Sequence, residues 1–107
     1  MKRVAITGIG VFSSIGTGSE DFWNALLSGK SGISSVESFD TSKYQVHVGG
    51  EIKDYTPEGY VTRLSPESLG RTSRLGIAAA KLAIQDSGIE IGDIDLARAA
   101  ISMGTTS

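Results

Sequence analysis

Near the start of the chain, Gly8-Ile9-Gly10-Val11-Phe12-Ser13-Ser14-Ile15-Gly16 has the residue types that cradle a phosphate. Glycines let backbone amides approach an anion closely, and a helix N-terminus behind such a loop favours negative charge. The spacing tests that chemistry. A dinucleotide fingerprint, G-x-G-x-x-G, needs its third glycine at position 13, which holds Ser13. The next helix pattern opens only near Ser19, too late to aim its N-terminus at a pyrophosphate held by Gly8 and Gly10. The acidic residue expected about twenty positions on falls instead in the loop Gly29 to Gly32. Gly29-Lys30-Ser31 matches the end of a phosphate-loop pattern, but Asn24 stands where its first glycine belongs, and the tripeptide follows a helix rather than a strand. A free-standing nucleotide-binding βαβ domain is therefore the remote reading.

The remaining chemistry is sparse. With no Cys there is no thiol nucleophile, no disulfide and no thiolate metal ligand. The one His, His47, cannot build a multi-histidine site within these residues. It lies between Val46 and Val48, so alternation turns it outward as a solvated side chain.

Simple elements must position these residues. Val4-Ala5-Ile6, closed by Gly8, reads as a short strand buried on both faces. Ser19 is a good N-cap, with Glu20 and Asp21 in the first turn where the helix dipole favours carboxylates. Phe22, Trp23, Leu26 and Leu27 form one apolar face, and Gly29 suits the position after the helix end. Lys30 to Thr41 reads as a Ser/Gly loop pinned by Phe39-Asp40. Tyr44 to Val48 and Glu51 to Lys53 alternate around Gly49-Gly50, which predicts a hairpin. Asp54 to Glu67 is a second loop, with Pro57 and Pro66 as breakers. Ser65-Pro66-Glu67 resembles a helix start, and Leu69 to Asp86 is helical in pattern, ended by Ser87-Gly88. Gly76, Ala79, Ala80 and Ala83 make a small-residue stripe suited to close packing. Arg71, Arg74, Lys81 and Gln85 share another face, read as a wet basic stripe or a landing site for an acidic partner. After the acidic connector 89–96, Ala97 to Met103 predicts a second buried strand, followed by the loop Gly104-Thr105-Thr106-Ser107. Strand, helical crossover and strand give a βαβ-like unit with both loops on one sheet edge.

The 107 residues suffice for one small domain, and 39% hydrophobic with 21% charged residues is a globular composition. A net charge of −2 gives no nucleic-acid surface. No apolar run is long enough to span a membrane or to form a signal peptide, so a cytoplasmic protein is expected.

Arg3 to Gly16, Phe22 to Ile33, Phe39-Asp40-Thr41-Ser42, Arg71-Thr72-Ser73-Arg74, Ala83 to Gly88 and Ala99 to Thr106 together resemble the opening of an elongating β-ketoacyl-acyl-carrier-protein synthase. The resemblance runs in order along essentially the whole chain. It implies an α/β fold class: a partial thiolase-like fold, the first βαβ unit of the N-terminal half with an inserted hairpin and loops. Residues 1–107 would then be the N-terminal part of a ketosynthase N-terminal domain, cut from a parent roughly fourfold longer. The parent would perform a decarboxylating Claisen condensation with a Cys nucleophile, two His residues and a backbone oxyanion hole. It would work with acyl carrier protein, as a homodimer, without a cofactor or metal. No catalytic residue falls in this chain, so the chain alone is expected to be inactive. The same residues suit a non-catalytic chain-length-factor-like homologue.

One group of positions carries over, and a second departs from the family pattern. Gly104, Thr105 and Thr106 match the loop that lines the acyl pocket near the subunit interface. Fatty-acid relatives often place a bulky aliphatic residue at Thr105, so a smaller polar side chain leaves room for polyketide-like or polyene substrates. Carrier-docking basic residues of some relatives fall at Glu67 and Ser68 here. Arg63, Arg71 and Arg74 are the nearby basic candidates for carrier contact.

Overall fold

The computed structural model describes residues 1–106. Its contacts divide the chain into two units, residues 11–56 and residues 1–10 with 57 onward.

In the first unit, β1 (Phe12–Ser13) pairs antiparallel with β2 (Gly16–Thr17). The Ser13 hydroxyl closes this turn: it donates to the Gly16 carbonyl at 2.9 Å and accepts from the Ile15 and Gly16 amides. Helix α1 (Ser19–Leu27) follows, one residue from the sequence expectation. Gly18 is its N-cap, at φ 83°, a left-handed conformation that Ser19 would adopt only with strain. Gly29, at φ 67°, ends the helix as expected.

The hairpin expected at 44–53 does not form. Instead β3 (Ser34–Ser35) pairs antiparallel with β4 (Val48–Gly49), and the Val36 amide extends the pairing to the His47 carbonyl at 3.0 Å. Gly49 therefore sits in a strand rather than a turn. The residues after β4 grip the residues after β3 through side chains. The Glu51 carboxylate accepts from the Glu37 amide (2.8 Å), the Ser38 amide (3.1 Å) and the Ser38 hydroxyl. Lys53 Nζ donates to the Ser35 carbonyl (3.1 Å) and pairs with Glu37 (2.7 Å). The Phe39-Asp40 pin is present: Asp40 accepts from the Ser42 amide and hydroxyl, and Phe39 meets Tyr44 edge-on.

The second unit is built on helix α2 (Arg71–Ser87), which ends at Gly88 in the left-handed conformation. Ser65-Pro66-Glu67 opens a separate 3-10 turn, Pro66–Ser68, because Leu69 is extended and breaks the helix before Arg71. The small-residue stripe packs closely, not on a sheet or another helix but against irregular segments, and its Ala80 is exposed. A Cβ placed on Gly10 would collide with the Ala79 carbonyl oxygen and lie 2.7 Å from the Ala83 nitrogen. One on Gly8 would collide with the Ala83 carbonyl and lie 2.8 Å from Ser87 Cβ. A Cβ on Gly76 would lie 2.5 Å from Met103 Cε. Between the two glycines, the Ile9 amide donates to Asp86 at 2.8 Å. The N-terminal arm and the segment near Met103 thus both rest on α2, at positions spaced for one helix face.

Neither expected buried strand is formed. Among the described residues no strand is assigned at 4–6, and residues 96–98 make a 3-10 turn capped by Asp95 instead of starting a strand. A strand is defined by its neighbours' hydrogen bonds, and these segments find no ladder within the described residues. Both were expected to be buried; Val4, Ile6 and Ile101 are instead almost fully exposed.

Apolar burial is correspondingly small. Ala25, Val61 and Ala78 are the buried hydrophobic residues among those described. The accessible surface is 8757 Å².

The glycine contacts give a direct test. Gly10→Ala should destabilise α2 by about 1–3 kcal/mol, the usual cost of forcing atoms into a packed contact. Gly92→Ala, whose Cβ would meet nothing within 4 Å, should not. Loss of helical ellipticity in urea should move to lower concentration for the first variant only; equal curves would contradict the packing.

Candidate functional site

The glycine and serine stretch that opens the chain is divided between structural tasks. Gly8 and Gly10 admit the α2 backbone, and the Ser13 hydroxyl is spent inside the β1–β2 turn. Ser14 packs against Gly32 and Gly50. Gly29-Lys30-Ser31 is a helix end: the Lys30 amide donates to the Ala25 carbonyl at 2.9 Å, and the Ser31 hydroxyl accepts from the Ile33 amide. Several donors that a phosphate would need are therefore already engaged, which removes the physical basis of the nucleotide reading.

A polar cleft of about 690 Å³ lies within the 11–56 unit, with Ser13, Ser14, Lys30, Ser31, Glu51 and Lys53 among its lining. Two of its charged groups are committed to the β3–β4 clamp described above. Hydrogen bonds from the Ser38 hydroxyl and then the Glu37 amide hold the Glu51 carboxyl below its ordinary pKa of 4.5. The Ser42 amide and hydroxyl act likewise on Asp40. His47 is exposed, with Nδ1 3.0 Å from the Thr41 hydroxyl. Among the described residues, no group of three His, Cys, Asp or Glu could hold a metal.

The positions singled out in the sequence fall in the α2 unit. Gly104, Thr105 and Thr106 are exposed and follow Met103, the residue resting on Gly76. Ser107, the last residue of that loop in the sequence, lies outside the described residues. Arg63 and Arg71 are exposed, while Arg74 is half-buried with its Nε shielded and without a hydrogen-bond partner. The basic face of α2 is not uniformly wet. Lys81 Nζ donates to the Thr62 hydroxyl at 3.2 Å. Lys81 and Ile77 line a small, largely apolar pocket of about 140 Å³ with Tyr60, Val61, Arg63 and Leu64. Sequence periodicity could not locate this pocket, since 60–64 has no regular pattern.

These features define part of a mixed helix and strand domain. The chain belongs to the beta-ketoacyl synthase N-terminal domain family, whose model matches residues 1–107. It is 35% identical over 104 residues to the 3-oxoacyl-[acyl-carrier-protein] synthase 2 of Vibrio cholerae, covering 97% of this chain and 25% of that protein. It is 36% identical over 107 residues to the chloroplastic 3-oxoacyl-[acyl-carrier-protein] synthase I of Arabidopsis thaliana, covering 97% of this chain and 23% of that one. A solved structure, the ishigamide ketosynthase/chain length factor, superimposes with a TM-score of 0.79 at 34% identity over 83% of this chain and 22% of that chain. The partial thiolase-like α/β class expected from the sequence is thereby established. The chain spans about a quarter of the length of the curated relatives it matches.

The Glu51 clamp predicts a pH dependence. Because the folded-state pKa lies below the ordinary 4.5, its contribution is complete above that value and fades as pH falls through the lowered one. The Glu37 and Ser38 amide resonances should titrate together with a midpoint below 4.5, and Glu51→Gln should abolish the step. A shared midpoint at or above 4.5 would contradict the clamp.

Proposed function

We propose that these residues are the N-terminal part of a 3-oxoacyl-[acyl-carrier-protein] synthase that acts with acyl carrier protein as a homodimer in the cytoplasm. The match to the ketosynthase family model along all 107 residues carries this reading. Among the described residues no helix is long and apolar enough to cross a membrane.

In the whole enzyme, a cysteine thiolate would attack the acyl thioester and release the carrier thiol. A carrier-bound malonyl group would then lose CO₂, and the resulting enolate would attack the acyl carbonyl. The cysteine thiolate leaves as the new carbon–carbon bond forms. Neither the nucleophile nor the two histidines belong to these 107 residues, which hold no Cys and only His47. The part we assign here is the wall of the acyl pocket at Gly104, Thr105 and Thr106, with Arg63, Arg71 and Arg74 as the carrier-facing cations. The family match, which runs through these positions, supports that assignment.

A second reading is favoured by one of the solved relatives, a ketosynthase/chain length factor: a partner subunit that keeps the fold without the nucleophile. The two separate in one assay. The full-length protein should take up radiolabel covalently from an acyl carrier donor, and iodoacetamide should block the uptake. No covalent label would favour the non-catalytic partner.

If Thr105 lines the pocket, Thr105→Phe in the full-length enzyme should lower kcat/KM for a long acyl donor about 10–100-fold relative to a short one. Equal effects on both donors would remove Thr105 from the pocket.

A further inference from the structure

Residues 60–64 carry the cation Arg63 but belong to no helix or strand; they run between the 3-10 turns Pro57–Gly59 and Pro66–Ser68. A segment without a hydrogen-bonded ladder moves unless side chains tie it down. Two ties reach α2. Val61 is 6% exposed, and it lines the small apolar pocket together with Ile77 and Lys81 of the helix. Beside it, Lys81 Nζ donates to the Thr62 hydroxyl at 3.2 Å. Lys81 is half-buried, so its aliphatic stem covers the pocket while its ammonium group reaches the rim.

The second tie has an electrostatic consequence. Arg74, Ala78 and Lys81 fall at i, i+4 and i+7, one face of α2. Arg63 directly follows Thr62. Fixing Thr62 to Lys81 therefore sets Arg63 over the helix face that bears Arg74, two turns or about 10 Å along the axis. Like charges on a loose segment would drift apart, and ordering them at the moment of binding would weaken the complex. The acceptor matters as well. A hydroxyl takes the hydrogen bond without carrying a negative charge, so Lys81 is oriented while its own charge is kept.

We infer that Lys81 is a positioning residue: through Thr62 it holds Arg63 on the Arg74 face of α2, so that the carrier meets a pre-formed cationic surface. This rests on the assignment of Arg63 as a carrier-facing cation under Proposed function.

The test is the affinity of the full-length protein for a fluorescently labelled acyl carrier protein, read by anisotropy. Acyl transfer is read alongside, from carrier-borne and pantetheine-borne donors. Lys81→Met keeps an apolar stem and removes the hydrogen-bond donor. Thr62→Val removes the acceptor and changes no charge. Each should raise Kd, and KM for the carrier-borne donor, about three- to tenfold, the range of one hydrogen bond. The kcat, and the KM for the pantetheine-borne donor, should not change. Arg63→Ala should raise Kd at least as much, and in that background neither change should add to it. The anisotropy arm reads the same way in a protein without acyl transfer. If Arg63→Ala leaves Kd unchanged, Arg63 is removed from the carrier contact and the inference falls with it. If Arg63→Ala weakens binding but Thr62→Val does not, the inference alone is overturned. It is also overturned by equal losses on both donors, or by a Lys81→Met loss that persists undiminished in the Arg63→Ala background, since Lys81 would then meet the carrier directly.

Discussion

The approach of one backbone to another governs the α2 unit. Residues 8–10 lie so close to the helix that a single Cβ at either glycine would overlap a main-chain carbonyl. Such proximity requires small residues on both sides, and Ala79 and Ala83 provide them on α2. Each glycine costs about 0.5–1 kcal/mol of conformational entropy relative to alanine. That cost is offset by close dispersion contacts along the helix and by the Ile9 to Asp86 hydrogen bond. The arm is thereby set on the helix, and its remaining apolar residues, Val4 and Ile6, are left outside the contact.

The 11–56 unit coheres differently. Ala25 is its one buried hydrophobic residue among those described, and its order rests on local polar bonds. The Ser13 turn, the Asp40 turn and the Glu51–Lys53 clamp each tie side chains to nearby main-chain groups. Individually such bonds contribute about 0.5–1.5 kcal/mol, and exposed ion pairs still less. A unit held this way keeps its local conformations without a large core. Within its 690 Å³ cleft, Glu51 and Lys53 are occupied in holding the loops.

Local chemistry was the part of the fold most legible in the sequence. The acidic first turn of α1, the glycines at 29 and 88, and the small stripe on α2 all express short-range rules. The strands at 4–6 and 97–103 were read from apolar runs, but such a run records only that a residue wants burial. It does not say whether the burying partner belongs to the same stretch of chain. The 44–53 hairpin failed for a related reason. Ser34 and Ser35 have no apolar signature, so β4's true partner was invisible, although Glu51 and Lys53 alternate as a side-chain clamp would. At the candidate site, Gly104, Thr105 and Thr106 were proposed from family resemblance, and the arginines only from their nearness to positions where the family pattern is broken by Glu67 and Ser68. The pocket beside Lys81 depends on an irregular segment folding back on α2, which no periodicity encodes.

Amide hydrogen exchange on the 107-residue chain tests most directly whether the helix-packed arm coexists with open strand segments. The account predicts slow exchange in the middle of α2, with Ile9 the protected amide on the N-terminal arm. It predicts exchange at 4–6 and 99–103 close to that of unstructured peptide. Protection across both segments equal to that of α2 would mean that the chain closes its own sheet, and would contradict it.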